Sequence, residues 1–228
     1  MIQSAKIYKI EKDISLSEIR DEIKQVHIID ERAINGEVFK LRTQVRRVKW
    51  LEQDKSLTGT LEYEELVALP QIDDKVKYFP RAREIDFSFI SGSLYFIPFA
   101  RYDIAEIAAN KINQMLFGNI PIIVKCFISH EMIEKFLGSN PNDIKSCNWN
   151  ELTIPGVDKA RLGGADVGRS PNHDRFEDLG GRKRYILLTL YENGWIIALS
   201  AGGSIAFYTY VTRMEMLDFI RDKIFSLL

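Results

Sequence analysis

The chain has 228 residues, of which 46% are hydrophobic and 28% charged, and its 31 Lys or Arg against 32 Asp or Glu leave a formal charge of −1. That length supports one large domain or two small ones, and the apolar fraction excludes a disordered chain. The near-neutral charge excludes a global field drawing the protein to nucleic acid or anionic membrane, so any such binding must come from a local patch.

The opening segment, MIQSAKIYKIEKDIS, alternates polar and apolar residues. It lacks the continuous apolar stretch of a secretory signal, and Ala5 to Ile10 reads as a strand. Ser15 and Glu18 match a capping box ahead of a short helix bearing Ile19, Ile23 and Val26. After a polar connector, Val38 to Leu51 and Leu57 to Leu69 read as two long strands joined by a turn in QDKS, with Pro70 ending the pair. Ile85 to Ile90 and Leu94 to Phe99 form the next hairpin, across Ser91-Gly92-Ser93. A helix follows, with Asp103 as its cap, an apolar stripe of Ile104, Ile107, Ala108, Ile112 and Leu116, and Gly118 as its stop.

Ile122 to Ile128 reads as a short apolar strand, and Ser129 as the cap of a helix carrying Met132, Ile133, Phe136 and Leu137. A poorly patterned region leads into residues 156–185, which hold six of the fourteen glycines and few apolar residues. That composition predicts a long loop, and loops beyond roughly 12 to 15 residues in a compact domain are usually functional or disordered. Tyr185 to Tyr191 and Trp195 to Ser200 pair across Asn193-Gly194, and Ser204 to Tyr210 adds a strand. Thr212 and Glu215 then cap a closing helix that presents Leu217, Ile220, Ile224 and Leu227.

The order predicts an α+β fold of two related halves, 1–118 and 119–228, packed as one unit. Each half is a strand, a helix, an antiparallel meander and a closing helix, repeating at roughly 110 residues. The element order resembles that of TATA-binding-protein-like and RdgC-like folds, and a helix-grip layer would produce the same string. The resemblance is one of fold alone and carries no site residues.

Several residue sets carry chemistry. Gly163, Gly168, Arg169 and Ser170 spell a phosphate-loop pattern with Arg in place of Lys, but no strand is expected before it and no helix after it. Asp166, His173 and Asp174, with Glu177 and Asp178 nearby, are the candidates for a metal-dependent hydrolase; Arg161, Arg169, Arg175 and Arg182 offer the same carboxylates internal ion pairs. Cys126, His130 and Cys147 are soft ligands without an evident fourth member, so Cys126 reads as a core thiol. No metal or cofactor is expected. The two cysteines fit a reducing compartment, and no apolar run nears the roughly 20 residues that span a bilayer, so the expectation is a cytoplasmic protein without membrane association.

Strand 38–51 carries Lys40, Arg42, Arg46, Arg47 and Lys49, with Lys40, Arg42, Gln44 and Arg46 on one face. This stripe, extended by Arg182, Lys183 and Arg184 and by the arginines of 156–185, could track DNA or RNA phosphates, while Tyr208 and Tyr210 could stack bases. The opposing reading is cross-strand pairing with Glu62, Glu64 and Glu65. The leading expectation is therefore a non-enzymatic nucleic-acid-binding protein whose binding weakens in Arg42→Glu and Arg46→Glu. A subunit that docks onto another protein, and the metal hydrolase, are the alternatives.

Overall fold

The computed structural model describes residues 2–51, 55–70, 76–92, 94–140 and 142–228. The chain divides into two compact units, one of Ile7–Val124 and one of Met1–Lys6 with Lys125–Leu228. Among the described residues it is α+β, with two antiparallel sheets and five α-helices. No described helix is long and apolar enough to cross a membrane.

The first strand, β1 (Gln3–Lys6), belongs to the unit completed by residues 125–228. The 7–124 unit runs β2 (Tyr8–Ile10), α1 (Leu16–Gln25), β3 (Ile28–Ile34), β4 (Glu37–Leu51), β5 (Ser56–Pro70), β6 (Val76–Ile90), β7 (Tyr95–Pro98), α2 (Tyr102–Phe117) and β8 (Ile123–Lys125). Its sheet order is β3-β4-β5-β6-β7-β2-β8. The Ser15 capping box forms as the spacing predicts: Glu18 N–H donates to Ser15 Oγ at 3.2 Å, and Ser15 N–H donates to Glu18 Oε2 at 2.8 Å. The cap of α2 is Arg101 rather than Asp103, which sits in the first turn, where its charge complements the helix dipole.

The segment expected as a polar connector is strand β3. Asn35 (φ 52) and Gly36 (φ +85) supply two consecutive left-handed residues, the requirement of a tight two-residue hairpin, and Ile28–Ile34 pairs with β4 in register. Gly92 has the positive φ expected of its turn, at 112°. Ser93, together with Gln53 and Asp54 of the QDKS turn, lies outside the described residues.

The helices α1 and α2 bury Ile19, Ile23, Ala108 and Ile112 against Val45, Leu61, Phe87, Phe89 and Phe96 of the sheet. This core stops at Tyr63 and Ile85. Beyond it β5 and β6 continue as a two-stranded ribbon to the pair Pro70 and Val76, leaving Leu69 and Val76 exposed. At the base of the ribbon Glu65 accepts hydrogen bonds from Arg81 at 3.0 Å and Arg83 at 2.7 Å.

The other unit contains α3 (His130–Ser139), β9 (Asn142–Ile154), β10 (Val157–Gly163), a 3-10 turn (Val167–Arg169), α4 (Pro171–Asp178), β11 (Arg182–Leu190), β12 (Ile196–Ser200), β13 (Ser204–Phe207) and α5 (Arg213–Phe219), which runs into a π-helical turn (Ile220–Ile224). The sheet order is β1-β13-β12-β11-β9-β10. One face carries all three helices. Phe219 of α5 stacks edge-on with Phe136 of α3 and Phe207 of β13, and Trp149 of β9 packs on His173 and Phe176 of α4.

Two expectations are corrected in this unit. The poorly patterned region is β9, a 13-residue strand with Trp149 fully buried. The supposed loop 156–185 is β10, the 3-10 turn, α4 and the start of β11. The reason is location. Strand β10 lies at the sheet edge and needs little apolar surface; Gly156 (φ +76) after Pro155 makes the turn into it, and α4 is capped by Ser170, with Pro171 at its first position. The phosphate-loop pattern therefore does have a strand before it and a short helix after it.

Candidate functional site

Three of the five basic side chains on β4 pair within their own sheet, while the Arg42 and Lys49 side chains form no ion pair among the described residues. Lys40 Nζ lies 3.3 Å from Glu31, Arg46 Nε 2.9 Å from Glu62, and Arg47 3.9 Å from Glu84. Arg42 donates its backbone N–H to Glu64 Oε2 at 2.8 Å. A bulge at Arg47 (φ 56) shifts the register between Arg46 and Lys49, breaking the even spacing that phosphate tracking would use.

The hydrolase candidates do not converge. Asp166 (φ 54) borders a small recess, Asp174 is 76% exposed, and His173 is buried against Trp149. His173 Nδ1 is 3.5 Å from Asp174; its Nε2 lies 3.3 Å from Glu177 Oε1 but at an angle that makes no hydrogen bond. Among the described residues no three His, Cys, Asp or Glu are grouped to hold a metal ion. Arg169 and Arg175 are exposed and, among those residues, take no part in an ion pair. Arg182 does pair, with Glu151 at 3.2 Å.

Lys183 is the largest correction. It is buried, with its ammonium bonded to both Glu134 of α3 and Glu177 of α4. Strand register sets this orientation: Lys183 pairs with Trp149, so both side chains face the helices rather than solvent. Burial alone would depress its pKa, but the hydrogen bonds to Glu134 and Glu177 outweigh burial and hold it above the usual lysine value. Its backbone N–H donates to His130 Nδ1 at 3.2 Å, which removes His130 from any zinc role. Cys147, on the same face, is fully buried, and burial pushes its thiol up to about 12 against the opposing pull of Lys183. Cys126 is also buried, so both thiols are core groups.

The opposite face of this sheet collects residues that the pattern had scattered. Register aligns Arg161 of β10, Asn148 of β9 and Tyr185 of β11 in one row, and Lys159, Asn150 and Arg182 in the next. Alternation turns these residues away from the helices. Arg161, Lys159 and Arg184 are exposed and, among the described residues, form no ion pair. Asn148 Oδ1 is buried with no hydrogen-bond partner, so one amide acceptor there is unused. Burial pushes the Tyr185 phenol up to about 12, helped by its hydrogen bond with Tyr208 and opposed by the Arg161 charge. Tyr208 is 44% exposed and Tyr210 84%. Spacing alone placed neither Asn148 nor Asn150 here; only the cross-strand register does.

Compared with known proteins, the chain matches no family model and no curated protein.

Proposed function

We propose that the protein is a non-enzymatic binder of single-stranded nucleic acid, using the face of the six-stranded sheet opposite α3, α4 and α5. The observation that carries this reading is the pair of rows across β10, β9 and β11, which puts Arg161, Lys159 and Arg182 beside two asparagine amides and Tyr185. A single strand laid across such a surface has its phosphates met by guanidinium and ammonium groups. Its bases stack on tyrosine and meet amide donors and acceptors at their edges. A net charge of −1 leaves attraction to this local patch alone.

The test is fluorescence anisotropy with labelled oligonucleotides, single-stranded RNA and DNA against duplexes, over a salt series. Single strands are expected to bind preferentially, with log K falling by about 0.7 per phosphate contact for each decade of salt. Arg161→Glu is expected to weaken binding about tenfold and to flatten that slope by about one contact. Tyr185→Ala is expected to remove roughly 1 to 3 kcal/mol of stacking. Arg46→Glu, in the ion-paired stripe of the other unit, is expected to leave binding unchanged. No binding by any single strand, or losses for Arg46→Glu equal to those for Arg161→Glu, would refute the assignment.

A further inference from the structure

We propose that the recess beside the 3-10 turn binds a small zwitterion of the α-amino-acid class. The recess has a volume of about 180 Å³, bounded by Asn142, Asp143 and Ile144 of β9, by Asp166 and Arg169, and by Tyr191 at the rim. At roughly 30 Å³ per water it holds on the order of six waters, the bulk of a small amino acid. The floor is tightly packed: a Cβ at Gly168 would lie 3.2 Å from Ile144 Cδ1, so that glycine keeps the turn down on the strand.

The charges decide the ligand. Asp143 is occupied by the Lys145 ammonium, and the Asn142 amide donates to the carbonyls of Leu137 at 3.0 Å and Asn140 at 2.6 Å, leaving its oxygen as an acceptor. Asp166 and Arg169 bear opposite charges on one tight turn, joined by a backbone hydrogen bond of 3.0 Å. Among the described residues neither side chain forms a hydrogen bond or a close ion pair, and they do not pair with each other; the Lys145 ammonium, held by Asp143, acts on Asp166 only through its field. A lone anion would meet the Asp166 charge and a lone cation the Arg169 charge. A molecule carrying both satisfies each, its ammonium on Asp166 and the Asn142 oxygen, its carboxylate on the forked guanidinium of Arg169. Lining charges that cancel, two acidic against two basic once Lys145 is included, favour a ligand of zero net charge.

The experiment is titration calorimetry on the full chain with glycine, L-serine and L-aspartate, and with acetate and ethylamine as single-charge controls. At least one amino acid is expected to bind while both controls fail, and Asp166→Asn and Arg169→Gln are each expected to weaken that binding at least tenfold. Both side chains are exposed, so the circular dichroism and melting of the variants should match the parent, separating lost affinity from lost fold. Absence of heat with all three amino acids overturns the proposal. So does equal binding of acetate or ethylamine, or unchanged affinity in either variant. Because the assay contains no nucleic acid, its outcome is independent of the sheet-face reading.

Discussion

Lys183→Met is expected to destabilise the 125–228 unit by about 2 to 3 kcal/mol, seen as a lower urea midpoint by tryptophan fluorescence. Methionine fills the buried volume of the lysine stem, so the effect isolates the charge. Losing the ammonium leaves Glu134 and Glu177 facing each other with no counter-charge. Breaking a buried pair costs about 3 to 5 kcal/mol, but these carboxylates are 41% and 34% exposed, and water screens part of the penalty. The triple variant Lys183→Met with Glu134→Gln and Glu177→Gln should recover most of the loss, because removing all the charges removes the conflict. An unchanged midpoint for Lys183→Met alone would mean that the cluster contributes nothing to folding.

The same cluster sets an alkaline limit. The folded-state pKa of Lys183 lies above the ordinary value of 10.5. Its stabilisation is therefore complete below 10.5 and is lost as pH rises through the folded value. The stability gap between the parent and Lys183→Met is expected to stay constant from neutral pH to about 10 and to narrow above it. Equilibrium urea curves at several pH values measure that gap directly, and a gap that narrows at neutral pH instead would contradict the assignment of the charge.

How legible all this was depended on whether the signal is local. Capping boxes involve residues three apart, and Ser15 with Glu18 and Thr212 with Glu215 formed as read. Amphipathic helices and the long β4–β5 pair also show their period within one segment. Strand β3 was hidden although Asn35-Gly36 marks its hairpin, because only two of the six residues that follow Ile28 are large and apolar and they do not alternate. β9 was hidden because a register shift displaces the alternation of its buried residues, placing Ser146 and Cys147 side by side among them. The lysine cluster left a faint trace: His-x-x-x-Glu occurs at 130–134 and again at 173–177. On a helix that spacing puts both side chains on one face, but nothing local says that two such faces converge on one strand lysine. Register is a non-local property, and the rows on the sheet face opposite α3, α4 and α5 were invisible for the same reason.

Gly181→Ala is expected to be the most damaging single-methyl change in the 125–228 unit, at about 2 to 4 kcal/mol by the cost of overpacking a filled core. Its backbone runs between the end of α4 and the start of β11, and its N–H donates to the Phe176 carbonyl at 2.9 Å. A Cβ there would lie 2.5 Å from that carbonyl oxygen, 2.9 Å from Leu152 Cδ2 and 3.0 Å from Trp149 Cδ1. The nearest neighbour is backbone and the third is a fully buried indole, so a shift of the Leu152 side-chain end alone leaves the clash with the Phe176 carbonyl in place. Relief requires lifting α4 from the sheet, and α4 carries Glu177 and His173, so the Lys183 bridge is strained along with the packing. The adjacent Gly180 separates the two possible costs. It sits at φ +76 with only Thr153 Cγ2 at 3.6 Å from its Cβ position, so Gly180→Ala meets the left-handed backbone penalty of about 1 kcal/mol and no clash. Urea midpoints for the two variants should therefore rank Gly181→Ala well below Gly180→Ala, and hydrogen exchange should show the α4 amides opening in the first and not the second. A reversed order would mean that α4 is free to move, and that Lys183 rather than the close-packed glycine holds this helix on the sheet.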